Sequence, residues 1–79
     1  MFKLVPMINV DGVYDGHYRM DIFNQNLNRF YKTPIKETTP APFAIKELLS
    51  YYTLSNRLFY YCDLHAHSSR KGCFIYGNA

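Results

Sequence analysis

Apolar positions fall into two regimes along this chain. Phe2-Lys3-Leu4-Val5-Pro6-Met7-Ile8, Leu58-Phe59-Tyr60-Tyr61-Cys62 and Cys73-Phe74-Ile75-Tyr76 are short runs rich in β-preferring residues. They are too short to cross a membrane, and their composition predicts buried strands. Pro6 places a missing donor inside the first run, and Asn9-Val10-Asp11-Gly12 supplies the turn chemistry to end it. The second regime is helical. Ile45, Leu48, Leu49 and Tyr52 fall at i, i+3, i+4 and i+7, with Lys46, Glu47 and Ser50 on the other side. This predicts an amphipathic helix entered at Thr38-Thr39-Pro40-Ala41-Pro42 and ending near Ser55-Asn56. The next strand is expected over Leu58 to Leu64. Strand, helix and strand in this order predict an α/β fold built on a βαβ unit with a right-handed crossover. The Asn9 turn and His65 would then share one edge of the sheet.

Between the first strand and the helix lies a long stretch of mixed polarity, Val13 to Thr39, with Asp15-Gly16, Asn24-Gln25-Asn26 and Thr33-Pro34 inside it. A loop of that length in a small domain is usually functional or disordered. Leu27, Phe30 and Tyr31 argue against disorder, as does a chain that is 48% hydrophobic and 18% aromatic. Eight Tyr and six Phe are many for 79 residues, which predicts strands that expect further neighbours and hence a fragment of a larger domain.

The net charge of +3 is spread over Lys3, Arg19, Arg29, Lys32, Lys36, Lys46, Arg57, Arg70 and Lys71. No run resembles a nucleic-acid arm, and neither nucleic acid nor membrane is an expected partner. A basic cleft for an acidic substrate fits the excess. Cys62 and Cys73 lie in apolar runs and read as buried free thiols of a reducing compartment. Phe2 to Val10 holds Lys3 and lacks a cleavage site, so it does not read as a signal peptide. Met1 is compatible with an internal methionine of a longer chain.

Candidate chemistry gathers at Asp63-Leu64-His65-Ala66-His67-Ser68. A strand that delivers Asp and two His at its carboxyl end presents polar groups where open α/β sheets bind ligands. A neutral imidazole there suits zinc. The plainer alternative is one satisfied and one surface histidine. A closed Cys62, His65, His67, Cys73 cluster is disfavoured, because Cys62 sits inside a strand rather than on a knuckle. Arg19 and Arg29 lie in the long loop, and Arg29 follows Asn26-Leu27-Asn28. A guanidinium grips a carboxylate through two bonds and an adjacent amide adds a donor; solvated loop arginines are the alternative. No Ser/His/Asp order, phosphate loop or calcium-loop spacing is present in the sequence.

Taken together, Val5-Pro6-Met7-Ile8-Asn9-Val10-Asp11-Gly12-Val13, Gly16-His17-Tyr18-Arg19, Asn26-Leu27-Asn28-Arg29, Tyr61-Cys62-Asp63-Leu64-His65-Ala66-His67-Ser68 and Phe74-Ile75-Tyr76-Gly77-Asn78 resemble the cytosolic carboxypeptidases, a group of zinc metallocarboxypeptidases. Lys71-Gly72-Cys73-Phe74 with Gly77-Asn78 looks most like the branch called cytosolic carboxypeptidase-like protein 5. The resemblance implies a central piece, residues 1–79, of a mixed-sheet catalytic domain. It implies Zn2+ as cofactor, a cytoplasmic setting, and polyglutamylated protein tails such as those of tubulin as substrate. By position, His65 would be a zinc ligand. Asn28 and Arg29 would hold the substrate's free carboxylate. Arg19 would stabilise the oxyanion, and Asn26 would orient a zinc ligand lying elsewhere. Arg70 or Lys71 is expected to help recognise a glutamate side chain.

Departures from the family pattern are Val10 for Pro, Ala66 for Gly and Phe30 for Gln. If the position of Ala66 demands a positive φ, the turn is strained by roughly 1 kcal/mol. The family's His-x-x-Glu pair and its general-base Glu are not among these residues. One imidazole cannot hold a catalytic zinc. The competing expectation is therefore an inactive remnant or a small non-catalytic binding module.

Overall fold

The computed structural model describes residues 1–78. Asn9 opens the first helix, α1 (Val10–Tyr14), by accepting the Gly12 N–H on its side-chain oxygen. The helix closes at Asp15-Gly16. Gly16 takes φ +76°, while the His17 N–H bonds to the Gly12 carbonyl at 2.8 Å and the Gly16 N–H to the Val13 carbonyl at 3.1 Å. That pair of bonds is a Schellman closure, and glycine adopts its left-handed position without a Cβ penalty. The stretch read as a strand-ending turn is thus a capped helical turn.

A 3-10 turn spans Leu27–Arg29, and the long helix α2 runs over Pro40–Leu54. Proline in its first turn needs no intrahelical donor. Thr39, wholly buried, ties the entry down: its hydroxyl accepts the Ile35 N–H at 2.7 Å and donates to the Ile35 carbonyl at 3.0 Å. The far end closes as α1 does. Asn56 takes φ 56°, the Arg57 N–H reaches the Tyr52 carbonyl at 2.8 Å and the Asn56 N–H the Thr53 carbonyl at 3.0 Å. The helix predicted from the spacing of Ile45, Leu48, Leu49 and Tyr52 is present with its expected ends.

The sheet is not. Among the described residues there is no strand, so the α/β fold and its βαβ unit are corrected to a helical segment with extended arms. The reason is physical. An extended run becomes a strand only when another backbone satisfies its N–H and C=O groups, and none of the three apolar runs finds one. Their side chains remain wet: Phe2 is 90% exposed, Phe59 100% and Leu64 89%. Cys62 and Cys73 are free, as expected, but exposed rather than buried.

Helix α2 organises what packing there is. Ala41, Ala44, Ile45 and Leu48 form one stripe, and with Val5, Met7 and Ile8 they line a groove of about 190 Å³. A neighbouring stripe carries Lys46 and Leu49 toward the 3-10 turn. Among the described residues Pro42 is the one large apolar side chain that is fully buried; no aliphatic or aromatic side chain is. The accessible surface is 7415 Å², against about 5,000 Å² for a compact protein of this mass. The radius of gyration is 13.9 Å, where roughly 12 Å is usual for this length.

Candidate functional site

Arg19 is held on a loop that closes on itself by polar bonds. Asn9 Nδ2 donates to the Met20 carbonyl at 3.0 Å, joining the start of α1 to the residue after Arg19. Asp21, 6% exposed, accepts the Phe23 N–H at 2.9 Å and the Gln25 N–H at 2.8 Å on Oδ1. Its own N–H bonds to the Gln25 carbonyl at 2.9 Å, and Asn24 takes the left-handed position at the tip. A buried carboxylate that accepts backbone donors fixes a loop that has no sheet to lean on. The Arg19 guanidinium is exposed and lies over the Tyr18 ring, 5.4 Å from its centroid. It is available to an anion.

Asn26, expected to orient a metal ligand, caps the 3-10 turn in this structure. Its side-chain oxygen accepts the Asn28 N–H at 3.3 Å, and its carbonyl accepts the Arg29 N–H at 3.0 Å. The cap leaves the Asn28 and Arg29 side chains exposed on adjacent positions. Asn28 also lines a cleft of about 320 Å³ with Tyr31, Lys46, Leu49, Tyr61 and Asp63. This cleft brings the Asn28–Arg29 turn and the Asp63–Ser68 segment together across more than thirty residues of sequence.

His65 does not line the cleft but stands beside Asp63, which does. Its Nδ1 lies 3.3 Å from Asp63 Oδ2, with side chains 54% and 28% exposed. An exposed pair of this kind contributes about 0.2–1 kcal/mol to stability, so its effect is on orientation rather than on folding. The Asp63 charge also bears on two phenols. Burial, then Tyr61 and then Asp63 push Tyr31 up to about 12. Burial first and Asp63 second raise Tyr61. The interaction of the two phenols raises Tyr31 further and works the other way on Tyr61. Asp63, Tyr31 and Tyr61 carried no assigned role in the sequence. Only the i−2 spacing of Asp63 from His65 offered a signal.

His67 is engaged locally through its Nδ1. Its Nδ1 accepts the backbone N–H groups of Ser69 and Arg70, each at 3.2 Å. Its ring meets Phe74 edge-on at 5.5 Å. Arg70 lies 5.5 Å from the centroids of both Phe74 and Tyr76. Ala66 does not adopt a positive φ, so the replacement of glycine there carries no backbone strain.

Among the described residues no group of three His, Cys, Asp or Glu side chains is placed to hold a metal ion. The His65 imidazole with Asp63 behind it suits one position of a zinc site, but a catalytic zinc takes three protein ligands. The residues of this chain therefore do not fit zinc by themselves. No helix is long and apolar enough to cross a membrane.

Comparison with known proteins defines the class first: the chain is similar to carboxypeptidases. Specifically, its resemblance to the cytosolic carboxypeptidases holds over 98% of its length. It is 43% identical over 79 residues to cytosolic carboxypeptidase 6 of Caenorhabditis elegans. In Mus musculus it is 42% identical over 78 residues to cytosolic carboxypeptidase 1 and 38% identical over 77 residues to cytosolic carboxypeptidase 2. The chain spans only 17%, 6% and 9% of the lengths of these three proteins, respectively. Nothing in these relatives supports the narrower assignment to the branch of cytosolic carboxypeptidase-like protein 5. No family model matches the chain. No solved structure matches it either.

Proposed function

We propose that these residues are the substrate-holding part of a zinc metallocarboxypeptidase of the cytoplasm. It would remove terminal or branch-point glutamates from polyglutamylated tails such as those of tubulin. The observation that carries this reading is the shared cleft, which Asn28 lines together with Asp63, the residue paired with His65. The aligned identity of 38–43% supports it.

In this reading Arg29 and Asn28 bind the free carboxylate at the end of the substrate, the guanidinium through two bonds and the amide through one. Such a grip selects for a chain end. Arg19 stabilises the charge that develops on the scissile carbonyl oxygen, an effect that is larger in the transition state than in the ground state. His65 supplies one donor to a zinc whose remaining ligands this chain does not carry. The net charge of +3 favours an acidic tail over a neutral one.

The test is turnover of a polyglutamylated peptide by a full-length protein carrying this segment. Arg19→Ala and His65→Ala are each expected to remove most activity. Unchanged turnover in either variant overturns the assignment. The 79 residues alone favour a second reading, a non-catalytic binding module or remnant, because no ligand cluster is present among those described. Zinc titration of the chain separates the two: tight binding argues for a self-contained site, weak binding for a part of one.

A further inference from the structure

Of the three apolar runs, the one that follows α2 is unguarded. Lys3 and Pro6 interrupt the first, and both residue types discourage pairing with another chain. Gly72 and Gly77 bracket the third, whose Phe74 and Tyr76 rings are engaged by Arg70 and His67. Leu58-Phe59-Tyr60-Tyr61-Cys62 carries no charge, Pro or Gly. A short β-preferring run of that kind is a template for a second backbone. Phe59 is 100% exposed and Tyr60 71%. The Arg57 and Leu58 N–H groups close α2 on the Tyr52 carbonyl. Beyond them residues 59–64 carry no helix or turn, and among the described residues no backbone–backbone hydrogen bond involves them.

The flanks select that second backbone. The run follows Arg57 and stops at Asp63, with Tyr60 midway. Laid antiparallel on a copy of itself about Tyr60, it sets Arg57 opposite Asp63, Leu58 opposite Cys62 and Phe59 opposite Tyr61. Such a pairing is self-complementary, the condition for a closed twofold contact. Residues 57, 59, 61 and 63 share one face of an extended strand, so opposite-charge pairs flank aromatic pairs on that face. A parallel in-register pair stacks Arg57 on Arg57 and Asp63 on Asp63 instead, and like charges directly opposite are destabilising. Arg57 is exposed and, among the described residues, has no acidic partner within the chain. Asp63 approaches the His65 imidazole at 3.3 Å and keeps 28% of its side chain exposed. Lys46 shares a cleft with Asp63, but its ammonium donates to the Lys32 carbonyl. The accessible surface of 7415 Å² exceeds that of a compact protein of this mass by about 2,400 Å². Each partner in a standard interface covers roughly 800 Å².

We propose that residues 57–63 are a docking edge whose occupant is the same edge of a second copy of this chain. The two pair antiparallel about Tyr60, with Arg57 of each copy against Asp63 of the other. Within one copy the run stays unpaired, and the ladder forms between copies. The inference is independent of the proposed function.

The test is sedimentation equilibrium of the 79-residue chain from about 1 μM to 1 mM, with the thiols kept reduced. A monomer–dimer equilibrium is expected, and amide exchange within residues 59–61 should slow as dimer forms. Arg57→Asp and Asp63→Arg should each raise the dissociation constant about tenfold, and the double swap should restore it. Tyr60→Lys sets two ammonium groups against each other at the axis and should leave the chain monomeric. Phe2→Lys and Ile75→Lys alter the other two runs and should leave the dimer unchanged. The far-ultraviolet helical signal shows that each variant keeps α2. If a charge variant loses that signal, Tyr60→Lys decides, because its ring is largely exposed. A chain that stays monomeric to about 1 mM has this edge covered by something other than its own copy, which overturns the proposal. A dimer that survives Tyr60→Lys overturns it, as does one weakened by the single swaps and not recovered by the double swap. So does an open-ended aggregate that Phe2→Lys, Ile75→Lys and Tyr60→Lys disperse alike.

Discussion

Asn9 folds its amide over Gly12, accepting the Gly12 N–H at 3.2 Å on Oδ1 while Nδ2 reaches the Met20 carbonyl at 3.0 Å. A Cβ at Gly12 would fall on that amide and 2.5 Å from the Met20 oxygen. Gly12→Ala should therefore break the link between α1 and the Arg19 loop, at a cost of about 1–3 kcal/mol. Amide hydrogen exchange at Gly12 and His17 is expected to accelerate by roughly tenfold or more. Exchange rates equal to the parent's would show that the loop is held by something else.

The Arg29 side chain is not needed for its own turn, because the Asn26 cap forms the turn without it. In a full-length carboxypeptidase carrying the segment, Arg29→Lys should raise KM by about tenfold or more while kcat changes less. The lysine keeps the charge and loses the two-pronged grip. A KM equal to the parent's would remove the carboxylate from this position.

Tyr31 gives the pH dependence its sign. Its hydroxyl ionises near 10 in the unfolded chain and is pushed up to about 12 in the structure, chiefly by burial. The structured state therefore holds this proton more tightly. Its contribution to stability is complete below pH 10 and is lost as pH rises through about 12. Ultraviolet titration of the tyrosines should show one phenol ionising late, and Tyr31→Phe should delete that late step. A single uniform transition for all the tyrosines would contradict it.

Thr39 holds the entry to α2 with one hydroxyl that both accepts from and donates to Ile35. Thr39→Val keeps the shape and removes the hydroxyl that pairs with the Ile35 N–H and carbonyl, a loss of about 0.5–1.5 kcal/mol. The expected result is reduced far-ultraviolet helical signal and faster exchange at Phe43, whose N–H bonds to the Thr39 carbonyl. Unaltered helicity and exchange would assign the role to the prolines of the first turn.

What the sequence disclosed follows the range of each signal. Helix α2 was legible because its determinants are local: the spacing of Ile45, Leu48, Leu49 and Tyr52, prolines at the start, and an Asn able to take the left-handed position at the end. The strands failed because β-propensity reports that Phe59 or Ile75 suits a pleated, half-buried surface and says nothing about whether a second backbone is there to pair with. Asn9 was misread by one step: Asn-Val-Asp-Gly ends a strand or caps a helix with equal ease, and the Gly12 N–H decided it. Of the site, the capped turn bearing Asn28 and Arg29 follows from Asn26. The cleft that Tyr31, Tyr61 and Asp63 line together joins residues too far apart in sequence for any local pattern to reveal.

The wet aromatic arms have a thermodynamic consequence. Heat capacity and denaturant sensitivity both scale with the apolar surface that unfolding newly uncovers. A chain that already shows its Phe2, Phe59 and Ile75 side chains to solvent has little left to uncover. Calorimetry of these residues alone should trace a broad, shallow profile in place of a sharp endotherm, and cooperativity should appear only when a surface arrives against which those rings can dry.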